Sequence, residues 1–274
     1  MNTENNFGLS TILLIIKKWL NQIIIFVALM TITATIVCFI LPKQYYASTT
    51  ALPVNAQLTD KARIFNNNIQ TLYAVYGTDD DLDRLYITAK TRDVLLFVID
   101  SLKLIAHYDI SATQSKAIED ALGILKKNIA ITKTENGALK IEVWDKNALF
   151  AEAIAAAILQ RTDDQATGMM QQNNENIIVK LSSAISEKEQ QLKSIADADA
   201  RQKFSDQIAE QQKILDEFVI AAKVDQPSLM ILEKPYHSFY PDKPKFFFII
   251  AAAFLLSFFF SILCVVIIEN VRAK

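Results

Sequence analysis

The sequence predicts an α+β membrane protein in which two transmembrane helices flank an outer domain made of a small membrane-proximal sheet and a long helical hairpin. Three observations lead to this fold class. An uncharged apolar run lies near each end of the 274-residue chain. An Asn-Gly pair separates two segments of alternating polarity, and residues 147–223 contain no proline.

The apolar run near the C-terminal end covers residues 246–268. It carries no charge, and seventeen of its residues are Phe, Ile, Leu or Val. At roughly −0.3 to −0.6 kcal/mol each for insertion, these residues contribute about −5 to −10 kcal/mol, with no charged residue to oppose them. The run therefore predicts a transmembrane helix over residues 246–268, followed by a cytoplasmic tail, residues 269–274.

The apolar run near the other end covers residues 23–41 and follows an N-terminal segment, residues 1–22. It is also uncharged and reaches the roughly 20 residues that a hydrocarbon core requires. A cleaved signal peptide has a shorter apolar region and a small-residue cleavage site. This run ends in Phe-Ile-Leu-Pro instead, which favours a retained anchor.

Two spans place both termini on one side of the membrane. The basic residues beside the termini are Lys17, Lys18, Arg272 and Lys274, and those on the outer side are Lys43, Lys243 and Lys245. The excess of basic residues beside the termini is small. Long translocated domains escape the positive-inside rule, so the basic residues on the outer side do not argue against cytoplasmic termini, which we expect. The net charge of −2 argues against a nucleic-acid partner.

Strand patterns occur at both ends of the outer domain, residues 42–245. "KQYYASTTALPV" follows the first span and "SLMILE" precedes the proline-rich segment. Between them, Asn136-Gly137 separates Ile129 and Ile131 from Leu139, Ile141 and Val143. This pattern predicts a β-hairpin with a type I′ turn, since both turn residues tolerate positive φ. Four strands suffice for one small sheet.

Helical patterns fill much of the rest of this domain. Thr78 or Asp79 is positioned as an N-cap ahead of acidic first-turn residues. Two amphipathic faces follow at 3–4 spacing. We expect the first to contain Val94, Phe97, Val98 and Leu102, and the second Ile118, Leu122 and Leu125.

The proline-free stretch predicts two long helices that leave the membrane and return, with a turn near residues 196–201. Because the returning arm is shorter, we expect part of the first helix to pack on neighbouring copies of the chain. An apolar seam at 3–4 spacing supplies the candidates for oligomer packing. Its members are Ile178, Leu181, Ile185, Leu192, Ile195, Ile208, Leu215 and Phe218.

The predicted domain boundaries follow from these elements. A base comprises residues 42–146 and 224–234, extended helices occupy residues 147–223, and a proline-rich connector occupies residues 235–245. The connector contains Pro235, Pro241, Pro244 and Lys245. Because proline fixes φ and removes a donor, we expect an extended, semi-rigid segment.

No catalytic, cofactor-binding or metal-binding residue is predicted. His107 and His237 belong to no metal-ligand motif, and no phosphate-binding loop is present. Trp144 ends a strand and is more typical of a core or rim residue than of a sugar platform. Cys38 and Cys264 lie within the spans, where we expect them to pack as small apolar residues.

The combination of "GLSTILLIIKKWL", "LPKQYYASTTALPV" and "PYHSFYPDKPK" resembles the Wzz family of polysaccharide co-polymerases, the chain length determinants of the Gram-negative inner membrane. The resemblance covers the layout of the whole chain. It implies an α/β base, a periplasmic helical hairpin and a ring-like homo-oligomer. A glycine that often follows the Pro-Lys pair in the family is absent, and the outer domain is short for the family.

The resemblance also implies a function. Family members set the length of a surface polysaccharide, usually lipopolysaccharide O-antigen, together with a Wzy-type polymerase. The implied partners are further copies of the chain, the polymerase, lipid-linked polysaccharide and membrane lipid. In the family, the proline-rich segment and the spans are associated with function. The short tail indicates the O-antigen type rather than relatives fused to a tyrosine kinase.

Three alternatives remain open at this point. A sensory receptor would require a cytoplasmic output module. An adaptor or co-polymerase of a capsule or exopolysaccharide export system would use a similar hairpin. An enzyme would require a carboxylate site, for example among Asp79, Asp83, Glu142 and Asp145.

Overall fold

The computed structural model describes residues 15–54, 77–223 and 227–272. Lys274, most of the predicted N-terminal segment and residues 55–76 and 224–226 of the predicted base lie outside the described residues. The chain divides into two compact units, residues 46–237 and the remaining residues at both ends. In chain order the elements are α1 (Leu20–Ile40), β1 (Gln44–Pro53), α2 (Asp79–Ala89), α3 (Arg92–Ser101), α4 (Leu104–His107), α5 (Gln114–Asn128), β2 (Ile129–Lys133), β3 (Leu139–Asp145), α6 (Ala148–Leu192), α7 (Ala198–Lys223), β4 (Leu229–Lys243) and α8 (Phe246–Arg272).

The unit formed by the two chain ends contains α1 and α8, which pack on each other. Both helices are long and apolar enough to cross a membrane, and only 17% of the most apolar window of each is buried. A core helix of a soluble protein would be mostly buried. The two transmembrane helices predicted from the sequence are therefore confirmed, with α8 continuing as a helix to Arg272, beyond the predicted end of the apolar run.

Apolar, aromatic and polar contacts join α1 to α8. Ile23 and Val27 pack with Val265 in one buried cluster. At the end of the pair nearest the chain termini, Glu269 accepts hydrogen bonds from Lys18 Nζ at 2.6 Å and Trp19 Nε1 at 3.0 Å. The two spans are thus joined by an ion pair just beyond the apolar runs, a long-range contact that no local sequence pattern indicates.

The larger unit contains a four-stranded sheet in the order β2-β3-β1-β4. The predicted hairpin is confirmed: β2 and β3 pair antiparallel, with Ile131 opposite Ile141. The predicted type I′ turn is wrong. Gly137 has a φ of +75°, but Asn136 does not adopt positive φ. Thr134 N donates to Ala138 O at 2.8 Å and Gly137 N to Thr134 O at 3.1 Å, so the connection is a three-residue loop with glycine in the left-handed position.

Short helices cover one face of the sheet. Thr78 is the N-cap of α2, one of the two residues predicted for that position. It also forms a capping box, in which its side chain and that of Asp81 each accept from the other's backbone N–H. On α3, Val94 and Val98 are buried as expected. Phe97 is not part of this buried face: it is 42% exposed, and the Arg161 guanidinium lies 4.9 Å from its ring centre.

The predicted helical hairpin is formed by α6 and α7, which pack on each other. With 45 residues, α6 is about 68 Å long. The turn occupies residues 193–197, slightly before the predicted 196–201, because Asp197 caps α7 through a 3.2 Å bond from Ala200 N to its Oδ2. The predicted α+β class with two flanking spans, a small sheet and a long hairpin is confirmed.

The extra length of α6 has a different partner from the one expected. The first part of the helix is buried within the chain's own core, where α6 packs on β3, α2 and α3. The surplus part of the helix therefore buries one face on the base of the same chain. The buried residues of this part are Ala151, Ile154, Ala155, Ile158, Leu159 and Thr162.

Candidate functional site: the proline-rich strand and its anchors

The proline-rich motif lies mostly in β4. Pro235 and Pro241 belong to this single 15-residue strand, which merges the short strand expected at residues 228–233 with most of the connector. Pro244 and Lys245 lie between β4 and α8, where Ile249 N donates to Lys245 O at 3.2 Å. Lys245 therefore directly precedes α8, and its carbonyl oxygen accepts a hydrogen bond from the first turn of that helix.

Two prolines within one strand are tolerated because of its place in the sheet. In the order β2-β3-β1-β4, β4 lies at an edge and pairs on one side only. Proline cannot donate to a sheet ladder, and it is found essentially on edge strands or at bulges. The prolines thus keep the segment extended without removing a ladder bond from a central strand.

The beginning of β4 is fixed to α6. Asp163 Oδ1 accepts hydrogen bonds from Ser228 N at 2.7 Å and Leu229 N at 3.0 Å. Thr167 Oγ1 and Ser228 Oγ lie 3.0 Å apart. A single carboxylate of the long helix therefore accepts from the two backbone amides at which the strand begins.

The middle of β4 is fixed to β1. Thr49 Oγ1 donates to Glu233 O at 2.7 Å, and Thr50 Oγ1 donates to Glu233 Oε2 at 2.9 Å. Both threonines are buried. Just before Pro235, the strand is therefore held by side-chain hydrogen bonds in addition to its backbone pairing with β1.

A third anchor lies within the proline-rich motif. His237 Nδ1 is hydrogen-bonded to Glu152 Oε2 on the first turns of α6. The two side chains are partly exposed, at 24% for His237 and 38% for Glu152. The strand is thus tied to the long helix both where it begins and between its two prolines.

Large aromatic side chains follow this last anchor. Phe239 is 86% exposed and Tyr240 is 82% exposed. Consecutive residues of an extended strand point to opposite faces, so both faces of the strand carry an exposed aromatic ring at this point. Ser238 Oγ donates to Tyr240 O at 2.8 Å and supports the local backbone. The final part of β4 is the most exposed aromatic segment outside the spans among the described residues.

The apolar seam lies on both arms of the hairpin and in its turn. Ile185 on α6 is 4% exposed and Ile208 on α7 is 7% exposed, so both are buried within the chain. The remaining members, which are partly buried, are Ile178, Leu181, Leu192, Ile195, Leu215 and Phe218. Packing of these residues on a second copy stays a prediction.

Each of the two histidines is hydrogen-bonded to a carboxylate, His237 to Glu152 as described above. His107 Nε2 lies 2.8 Å from Asp145 Oδ1, and its ring stacks on Phe150 at 3.8 Å. Asp145 is 1% exposed and also accepts from Asn147 N at 2.9 Å. Among the described residues, no group of three or more His, Cys, Asp or Glu is arranged to hold a metal ion.

The carboxylates considered for an enzyme do not form one site. Along β3, Glu142 is partly exposed whereas Asp145 is buried, and residues three apart on a strand point to opposite faces. Asp83 lies on the surface of α2, where it pairs with Lys133. Glu142 and Asp145 therefore cannot act on the same substrate atom.

Glu152 and Asp163, the anchors of the proline-rich strand on α6, are not among the residues predicted from the sequence. Glu152 lies in an alanine-rich stretch near the start of α6, and Asp163 is one of two adjacent aspartates further along the helix, so neither has a distinguishing local pattern. Their partners are 65 and 85 residues away in the chain. The sequence offers only one indication: Glu152 and Asp163 lie in the same part of α6 as the apolar residues that are buried in the core.

No match is found among protein-family models or curated proteins. The solved structures similar to this chain include a full-length bacterial polysaccharide co-polymerase, 12% identical, with 97% of this chain and 99% of that chain covered at a TM-score of 0.48. A fragment of the polysaccharide co-polymerase WzzB from Salmonella Typhimurium is 14% identical, with 74% of this chain and 100% of that chain covered at a TM-score of 0.44. A variant of the Shigella flexneri lipopolysaccharide O-antigen chain-length regulator WzzBSF is 11% identical, with 73% and 100% covered at a TM-score of 0.28. These are similarities of backbone at low sequence identity, and the motifs in the sequence remain the basis for a family assignment.

Proposed function

We propose that this chain is a polysaccharide co-polymerase of the Wzz type. It is a non-enzymatic scaffold in the inner membrane of a Gram-negative bacterium, with its main domain in the periplasm. It oligomerises and acts with a Wzy-type polymerase to set how long a surface polysaccharide, such as lipopolysaccharide O-antigen, grows before release.

The observation that carries this proposal is the anchored proline-rich strand. The family resemblance rests on the sequence motif at residues 235–245, and in the structure this motif is the end of a strand that runs from the α/β base to α8. Three sets of side-chain bonds, from Asp163, from Thr49 and Thr50, and from Glu152, hold that strand in place. A mere tether between a domain and a span would not require them.

The long helix gives a physical route from the hairpin to the motif. Because α6 is one continuous helix from Ala148 to Leu192, it moves as a stiff rod of about 68 Å. Its first half carries Glu152 and Asp163, which bond to β4. A change in the tilt of the hairpin, for example when copies assemble side by side, would therefore act on β4 at its beginning and at His237, between the two prolines of the strand.

Exposed apolar residues on the hairpin support self-association. Val179 on α6 is 63% exposed, and Ile214 and Ile220 on α7 are 39% and 47% exposed. Long polar helices with residual apolar positions of this kind pack laterally on one another. In the membrane, the outer surfaces of α1 and α8 are available to the polymerase and to lipid.

Deletion of the gene tests the proposal. We expect the ladder of lipopolysaccharide or other surface polysaccharide on a gel to lose its preferred length, and the wild-type gene on a plasmid to restore it. An unchanged ladder in the deletion strain would refute a chain-length role. Co-purification with an outer-membrane channel instead of a polymerase would support the export-adaptor alternative.

Two proline variants and one control variant test whether the proline-rich motif itself sets the preferred length. Pro241→Ala and Pro244→Ala change an exposed and a partly buried position of the motif, and Phe97→Ala removes an exposed aromatic side chain elsewhere in the outer domain. We expect the proline variants to shift the preferred length at wild-type protein levels. The Phe97 variant should leave the ladder unchanged.

A further inference from the structure

One face of β3 carries an aromatic and charged patch that the proposed function does not use. Burial alternates along β3, so Lys140, Glu142 and Trp144 share the face opposite the apolar core. Tyr46 of β1 lies on the same face, because its hydroxyl donates to Glu142 Oε1 at 2.7 Å. We call these four residues the outer patch.

The outer patch has a defined internal geometry. The rings of Tyr46 and Trp144 are 5.6 Å apart and tilted by 55°. Lys140 Nζ lies 3.0 Å from Glu142 Oε1. Burial is the main cause that raises the pKa of the Tyr46 hydroxyl above its ordinary value, so this group remains a donor. All four side chains are partly exposed.

Small neighbours leave room above the patch on the β2 side. In the register of the hairpin, Ala130 lies opposite Glu142 and Thr132 opposite Lys140. Residues directly opposite in an antiparallel pair point to the same face. No large side chain of β2 therefore covers Glu142. The three patch residues on β3 extend over about 13 Å, since alternate strand residues are about 6.6 Å apart.

We infer that the outer patch binds pyranose rings of a glycan, with Trp144 under the C–H face of one ring and with Glu142 and Lys140 bonded to ring hydroxyls. This inference rests on the proposed function, since it concerns direct contact with the polysaccharide. Sugar rings combine an apolar face with a polar edge, and the positive edge of C–H groups matches the negative face of an aromatic ring. Glu142 accepts and Lys140 donates, which are the two roles that hydroxyl groups require.

The composition of the patch favours a glycan over a protein partner. Protein interfaces are depleted in charged residues at their centre and bury about 800 Å² on each side. In the outer patch a Lys-Glu pair lies beside the aromatic pair, and the patch is formed by residues of only two strands, so its area is small. The opposite charges cancel, so the patch fits a neutral sugar as well as an acidic one. Few, convergent polar groups beside an aromatic surface are typical of small-ligand sites.

Binding is tested with the full-length chain in detergent. The probe is the delipidated surface polysaccharide of the source strain, cut to short oligosaccharides. Trp19 and Trp144 are the only two tryptophans, so the Trp19→Phe background makes Trp144 the single emitting reporter. We expect a saturable change in Trp144 emission, and saturation-transfer NMR signals on the ring protons of the sugar.

Substitutions decide whether the patch is the site. In saturation-transfer titrations, Trp144→Ala should weaken affinity about tenfold, whereas Trp144→Phe, which keeps an aromatic face, should stay within about threefold of wild type. Glu142→Gln should weaken binding with the fold intact, because the amide has nearly the same shape. Phe97→Ala, an exposed aromatic residue away from the patch, serves as the control and should bind as wild type.

Three results would overturn the inference. One is the absence of saturable binding by the wild-type chain; another is wild-type affinity in a folded Trp144→Ala protein. The third is loss of a co-purifying protein from the Trp144 variant without any sugar binding by wild type, which would assign the patch to a protein partner. If the deletion strain alters the ladder while no sugar binds, only this inference fails. An unaltered ladder together with patch-dependent sugar binding refutes the proposed function alone.

Discussion

Replacing Asp163 by alanine tests whether the proline-rich strand depends on the long helix. One oxygen of Asp163 accepts from the backbone amides of Ser228 and Leu229 at 2.7 and 3.0 Å. These two residues are 8% and 4% exposed. In the alanine variant both buried N–H groups lose this acceptor. An unsatisfied buried donor costs about 1–3 kcal/mol, and because the two bonds share one oxygen we expect a combined loss of about 2–4 kcal/mol.

This loss is local and is best measured by amide exchange. Hydrogen exchange of the full-length chain in detergent, followed by mass spectrometry, reports the opening of peptides that contain Ser228 and Leu229. Each 1.4 kcal/mol is a factor of about ten, so exchange there should accelerate about thirtyfold or more. Exchange in the hairpin β2–β3, which Asp163 does not contact through these bonds, should stay near the wild-type rate.

Two matched variants make this prediction specific. Asp163→Asn keeps a side-chain oxygen that accepts both bonds, and we expect about 1 kcal/mol of loss from the missing charge. Asp164→Ala changes the adjacent, exposed position of the same helix and controls for helix propensity. If peptides at Ser228 exchange equally fast in wild type and Asp163→Ala, or if Asp164→Ala accelerates them as much, the anchoring role of Asp163 is wrong.

Three further predictions follow from other contacts. The double variant Pro241→Ala, Pro244→Ala should keep the wild-type circular dichroism but shift the preferred polysaccharide length on a gel; an unshifted band would show that the prolines are dispensable. Ile185→Asp places a charge at a position of the hairpin that is only 4% exposed. It should lower the free energy of unfolding in urea by about 3 kcal/mol or more and weaken cross-linked oligomers. The control Val179→Asp, at a position that is 63% exposed, should not change stability in urea. Burial, with a smaller contribution from a neighbouring carboxylate, raises the pKa of Tyr108 above its ordinary value of 10.0. Because Tyr108 ionises first in the unfolded chain, its contribution to the free energy of unfolding is fully present below about pH 10 and is lost above it. The loss between pH 9 and 11 should be smaller in Tyr108→Phe, and equal slopes for the two proteins would contradict this reasoning.

Local chemistry explains the elements that sequence reasoning predicted correctly. The two spans follow from insertion free energy summed along uncharged runs. The β2–β3 hairpin follows from period-2 alternation around Asn136-Gly137, and α2 begins at Thr78 because a side-chain oxygen satisfies an amide of its first turn. Each signal lies within one segment of the chain, so no knowledge of distant residues was needed.

The errors have equally specific causes. The turn type was wrong because Asn-Gly is compatible with two loop lengths, and the pairing of Thr134 with Ala138 selected the longer one. Phe97 has the right spacing for the core, but it lies at the rim, where Arg161 covers part of its ring. The surplus length of α6 was assigned to neighbouring copies because the sequence does not show that Ile154 and Ile158 pack on the sheet of the same chain.

The sequence by itself determined that this protein has two membrane spans, an α/β base, a helical hairpin and an extended proline-rich segment, because hydropathy, periodicity and proline content act within short stretches of chain. Only the tertiary structure decided that Asp163 and Glu152 hold the proline-rich strand, and that Tyr46 lies beside Trp144 on the outer face of the sheet. The first two contacts join residues 65 and 85 positions apart, and the hydrogen bond from Tyr46 to Glu142 beside Trp144 joins residues 96 positions apart. The physical reason is that long-range pairs depend on how whole elements pack, and no local pattern encodes which polar side chains then come within hydrogen-bonding distance.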